Sequence, residues 1–212
     1  MKIDILCTDP KHPVNPWLIE WASQNIATNH VSISRYSSEL MGGDFLFLVS
    51  CHEIIRQSLR DLYKFNLVLH ASELPKGRGM SPHVWHILEG GSKITLTLLN
   101  AEDQLDSGDI WHQLSFDLEG HELYDEINDK LFKAEMQLMT WAIENCLYSC
   151  PRSQIGEATY YRKRLSQDSY INPAKSIESQ FDLIRICDPE RYPAFFELRG
   201  QKYKIQITKF SE

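Results

Sequence analysis

Leu67-Val68-Leu69-His70-Ala71-Ser72-Glu73-Leu74-Pro75-Lys76-Gly77-Arg78-Gly79 is the stretch on which the reading of this chain turns. An apolar run ends abruptly at a histidine, and a loop with one proline and two glycines follows. A run of this kind, bounded by turn formers, suits a strand buried on both faces. Ligands of open α/β sheets sit just beyond the carboxyl ends of such strands. His70 therefore stands where chemistry is expected, although one histidine at a strand end is more often structural.

Outward from this stretch, strands and helices alternate. Lys2 to Cys7 reads as a first strand. Asn15 and Pro16 read as N-cap and first helical residue, with Leu18, Ala22 and Ile26 on one face of the helix. Val31 to Ser34 and Asp44 to Ser50 are further strands. Glu53 to Tyr63 is expected to be helical, with Ile55, Leu59 and Leu62 aligned. Ser81 and Pro82 open the next helix and Gly90 and Gly91 close it. Alternation of this kind argues for a parallel sheet with helices on its faces.

The pattern then changes. Lys93 to Leu99 and Asp109 to Phe116 are strands joined by a short polar loop, too short for a parallel crossover. His121 to Leu147 repeats apolar residues at three- and four-residue steps, as one long helix does. Pro151 to Pro173 is polar and aromatic and is expected to wrap the surface. A helix over Ser176 to Cys187 and a hairpin around Arg199-Gly200-Gln201 complete the chain. The expected fold is α/β, a mostly parallel sheet with an antiparallel portion. Residues 1–150 form the main domain and 151–212 a small helix–hairpin extension.

Composition narrows the function. The 212 residues carry 22 basic and 29 acidic side chains, a net charge of −7. That balance disfavours a large nucleic-acid footprint. Five cysteines without a CxxC pair read as reduced thiols, which fits a cytoplasmic protein. No apolar run is long enough for a membrane span.

A second segment, Ala101-Glu102-Asp103-Gln104-Leu105-Asp106-Ser107-Gly108-Asp109-Ile110, gathers carboxylates between two strands. By itself it reads as a solvated turn. Asp103, Leu105 and Ser107 break the calcium-loop pattern. His83 and His86 lie three apart without a third ligand, so no metal is expected.

Together, His70-Ala71-Ser72-Glu73-Leu74-Pro75, Arg78-Gly79 and Leu105-Asp106-Ser107-Gly108-Asp109 resemble the signature of folate-dependent formyltransferases. The resemblance is strongest from Asp44 to Gln113. It implies a Rossmann-like formyltransferase fold and 10-formyltetrahydrofolate as formyl donor. It implies His70 and Asp106 as the catalytic pair. The family's third residue, Asn two positions before the histidine, is replaced here by Val68; Asn66 is the nearest asparagine and the substitute candidate. The pterin is implied between Cys51, Glu53, Ile54 and Ile55 on one side and Ala101, Asp103 and Asp106 on the other.

Among the family's branches, the sugar N-formyltransferases fit best. Tyr161-Arg162-Lys163-Arg164 and Asp168-Ser169 resemble their tails. The implied acceptor is a nucleotide-linked amino sugar, with Lys76, Arg78, Trp85 and Arg162 as its contacts. tRNA and membranes are not expected partners, and a homodimer is left open. The alternatives are a glycinamide ribonucleotide-type or other small-amine formyltransferase, or a catalytically weak folate-binding homologue.

Overall fold

A computed structural model describes residues 1–210. The first half runs β1 (Lys2–Leu6), α1 (Asn15–Asn25), β2 (His30–Ser34), β3 (Gly43–Leu48), α2 (Gln57–Arg60), β4 (Tyr63–His70), β5 (Arg78–Gly79) and α3 (Pro82–Leu88). There follow β6 (Lys93–Asn100), β7 (Ile110–Asp117), α4 (Tyr124–Asn145), β8 (Tyr160–Tyr161), α5 (Phe181–Arg185), β9 (Ala194–Leu198) and β10 (Gln201–Ile205). Six strands form one sheet in the order β2-β1-β3-β4-β6-β7. The first four are parallel, and β6 and β7 run antiparallel to their neighbours. This is the expected Rossmann-like sheet with an antiparallel portion.

Alternation along β4 decides where His70 points. Leu67 and Leu69 join Ile5, Phe47, Leu96 and Leu98 in a core capped by Leu18 of α1 and Leu138 of α4. Val68 lies on the other face, against Leu48 and Ile55 on one side and Leu74 and Leu99 on another. Side chains two apart share a face, so His70 lies on Val68's side, away from the two long helices.

Several expected elements change length. The helix over Glu53 to Tyr63 shrinks to the single turn of α2, because Tyr63 begins β4 opposite Gly43. Its hydroxyl donates to the buried Asp4 carboxylate, a contact that a helix would forfeit. Leu62, expected on the buried helix face, is exposed. Asn15 lies inside α1, and its amide donates to the Asp9 and His12 carbonyls at 3.0 and 2.8 Å. The helix expected over Ser176 to Cys187 is a 3-10 turn followed by α5. The hairpin forms with left-handed Arg199 and Gly200 at its two-residue turn, the handedness that matches strand twist.

The stretch after Cys150 is more than a surface wrap. Arg152 exchanges two backbone hydrogen bonds with Ile110, at 2.7 and 2.8 Å. β8 pairs in parallel with β5. The tail is therefore hydrogen-bonded to both sequence segments singled out above.

The buried face of α4 includes an ionisable group, Glu135, whose Oε2 has no partner among the described residues. Burial pushes its carboxyl up to about 8. A folded-state value above the unfolded one means stability is lost as pH rises from the ordinary carboxylate range through 8. Glu135→Met removes this dependence. Between pH 4.5 and 8.5 the melting temperature of the variant should gain about 5 °C on the wild type, a shift of one to a few kcal/mol for a chain of this size.

Candidate active site

β4 ends at His70, and the chain turns at once, Ser72 N–H donating to the His70 carbonyl at 3.0 Å. The loop then folds back so that the Gly77 carbonyl meets His70 Nε2 at 2.8 Å. A carbonyl can only accept, so Nε2 carries the hydrogen. The other ring nitrogen, Nδ1, faces Asp106 Oδ1 at 3.5 Å. Both side chains are less than a tenth exposed. That separation exceeds an ordinary hydrogen bond. Two oxygens, the Gly77 carbonyl and the Asp106 carboxylate, thus bracket the imidazole.

Asp106 comes from the loop between β6 and β7. Its backbone is left-handed, φ +51°, a conformation rare outside glycine that aspartate tolerates better than most residues. Its Oδ2 accepts the Gly79 N–H at 2.9 Å. Gly79 is confined to glycine twice over: its φ is +102°, and a Cβ there would lie 2.2 Å from the Tyr161 carbonyl. Gly108 is equally tight, with the Asn100 carbonyl 2.0 Å from where a Cβ would sit.

Asn66 does not reach this pair. β4 keeps a regular register with β3, with no bulge to bring Asn66 forward. Four residues of strand place it roughly 13 Å from His70. Its amide donates instead to the Arg60 carbonyl at 2.9 Å. Val68, between them on the same face, offers no hydrogen bond. Ser72 Oγ is buried without a hydrogen-bond partner among the described residues.

The loops expected to hold a pterin are neighbours. Arg60, buried, donates to the Ile55 carbonyl at 2.5 Å and pairs with Asp103 at 2.8 Å, so one guanidinium ties the two loops together. Ala101 N–H donates to the Asn66 carbonyl at 2.8 Å. Cys51 is half-buried, and the Glu53 carboxylate accepts the Ser37 N–H at 3.3 Å. Ile54 is 79% exposed and Leu105 56%, an open apolar rim on the two loops.

The expected acceptor contacts divide. Lys76 is exposed on the rim of a cavity of about 270 Å³, next to Ser72 and Gly77 and facing Lys93, His86 and Tyr161. Arg78 is buried, against expectation, and its guanidinium donates to Gln154 Oε1 at 2.6 Å and to the Tyr160 hydroxyl at 3.2 Å. Arg162 is held by Asp168 in a bidentate pair at 2.6 and 2.7 Å and lies over the Trp85 ring. Trp85 in turn stacks on Tyr161. Arg78 and Arg162 are thus already partnered, whereas Lys76 has no ion-pair partner among the described residues.

Sequence reasoning missed Arg60, Gln154 and His12, and weighed His83 only as a metal ligand. Burial, reinforced by Arg191, pushes the His12 imidazole down to about 4. Burial, with His12, His70 and Arg164 nearby, does the same to His83. Both are neutral at pH 7.

Comparison with known proteins identifies the family. Residues 23–143, more than half of the chain, match the family described as Formyl transferase. A methionyl-tRNA formyltransferase from Francisella philomiragia is 30% identical over 164 residues, 76% of this chain and 52% of that protein. The chain thus spans about half the length of the curated relatives it matches. The structure of HypX from Aquifex aeolicus in complex with tetrahydrofolic acid superposes with a TM-score of 0.80 at 19% identity, covering 95% of this chain and 36% of HypX. A sugar N-formyltransferase from a Shewanella species superposes with a TM-score of 0.74 at 13% identity, covering 100% of this chain and 99% of that one. The chain belongs to the formyl transferase family.

Proposed function

We propose that the chain transfers a formyl group from 10-formyltetrahydrofolate to the amine of a nucleotide-linked amino sugar. The observation that carries the transfer step is the buried pair of His70 and Asp106 at the carboxyl end of β4. The amine attacks the formyl carbon between His70 and Asp106. Asp106 takes the proton that the amine releases, directly or through a water. His70 donates to the oxygen that becomes negative. As the carbonyl re-forms and the C–N bond breaks, Asp106 returns the proton to the tetrahydrofolate nitrogen, which leaves as a neutral amine. The exposed apolar rim of Ile54 and Leu105 supports a planar pterin between the two loops tied by Arg60.

Lys76 and Lys93, which line the 270 Å³ cavity together with Glu73 and Glu89, are the side chains there that suit a compact negative group such as a diphosphate. The net charge of −7 is unfavourable for a polynucleotide. A second reading, formylation of methionyl-tRNA, is favoured by the names of the curated relatives.

Purified protein, 10-formyltetrahydrofolate carrying a ¹³C-formyl group, UDP- and dTDP-linked amino sugars and methionyl-tRNA together form the test. Label should appear on an amino sugar. Label on the tRNA alone replaces the acceptor class, and label on no acceptor defeats the proposal. His70→Ala and Asp106→Ala should each lower turnover by about 10²- to 10⁴-fold with the fold retained by circular dichroism. Wild-type rates in both would remove the assigned pair. Lys76→Ala should raise KM for the nucleotide-linked acceptor about tenfold and leave kcat nearly unchanged, the mark of lost uniform binding.

A further inference from the structure

We infer that Gln154 is a positioning residue that holds Asp106 in place from behind. This inference rests on the reading of Asp106 as a member of the reacting pair. Gln154 lies in the tail, two residues beyond the backbone exchange between Arg152 and Ile110. Its side-chain amide donates twice, to the Asp106 carbonyl and to the Gly108 carbonyl, both at 2.8 Å. Its Oε1 accepts from Arg78 Nη2 at 2.6 Å. Only one orientation of the amide satisfies all three partners, because both carbonyls are acceptors and the guanidinium only donates.

The two carbonyls bracket the tightest turn of the loop. Asp106 is left-handed, and Gly108 is pressed against Asn100. Such a backbone persists only where its surroundings over-determine it. Gln154 supplies that constraint from one side, and the Gly79 N–H holds the carboxylate from the other. Arg78 and Gly79, adjacent in sequence, thus reach Asp106 by two routes, one through Gln154 and one directly. Arg78 is buried and Gln154 half-buried, so these bonds are shielded from competing water.

The chemistry of Gln154 separates two roles. Gln154→Glu keeps an acceptor for Arg78 but sets a carboxylate against two carbonyl oxygens. Gln154→Met keeps the length and removes every hydrogen bond. If the task is to hold the Asp106 loop, both variants fail; if it is only to satisfy Arg78, the Glu variant is benign.

The test uses the full chain labelled with ¹⁵N-histidine and needs no substrate. Of the eight histidines, His70 is assigned by the signal lost in His70→Gln. In both Gln154 variants the His70 ring signals should move, because the Asp106 carboxylate has left Nδ1, while those of His30 and His121 stay fixed. With 10-formyltetrahydrofolate and the acceptor that the wild type uses, kcat should fall at least tenfold and KM for the folate should stay within about twofold, a loss specific to the transition state. An unmoved His70 signal in both variants, or a Glu variant indistinguishable from wild type, overturns the inference. Should one variant not fold, the other decides. Because the spectral readout is independent of turnover, this inference and the proposed transfer can fail separately.

Discussion

One backbone hydrogen bond, from the Gly79 N–H to the Asp106 carboxylate at 2.9 Å, joins the two halves of the site. It crosses from the loop after β4 to the loop between β6 and β7. It forms only because Gly79 has no side chain: the Tyr161 carbonyl occupies the space a Cβ would need. β8 lies there because it pairs with β5, so the tail is part of the same constraint. His70 takes its place from the same loop, through the Gly77 carbonyl. Remove the close approach at Gly79, and histidine loop, aspartate loop and tail each lose a partner.

The sheet was legible because its signal is strong and local. Phe45 to Val49 and Leu67 to His70 are apolar runs bounded by turn residues, and both became central strands. The short loop before Ile110 foretold the antiparallel strands. The helix expected over Glu53 to Tyr63 misled because three apolar residues at helical spacing also fit a loop, a turn and a strand start. Only the distant partners Asp4 and Gly43 decide for the strand, and no local pattern shows them.

The candidate site was legible only in part. The close approach of His70 and Asp106 follows the family signature. Arg78 and Arg162 read as free cations because a sequence does not show that Gln154 and Asp168 already hold them. Gln154 itself carries no signal: it is one polar residue in a polar stretch, and its role arises from contacts 46 and 48 residues away. Val68 stands where the family has an amide, and the regular register of β4 keeps Asn66 from replacing it. Under the proposed transfer, stabilising the oxyanion falls to His70.

A crystal structure with a non-reactive 10-formyltetrahydrofolate analogue tests the central claim most directly. The pterin should lie between residues 51–55 and 101–106, with the formyl carbon within roughly 3.5–4 Å of both His70 and Asp106, close to the contact distance of a reacting centre. A folate seated elsewhere, for example in the 270 Å³ cavity beside Lys76, or a formyl group pointing away from Asp106, would contradict it.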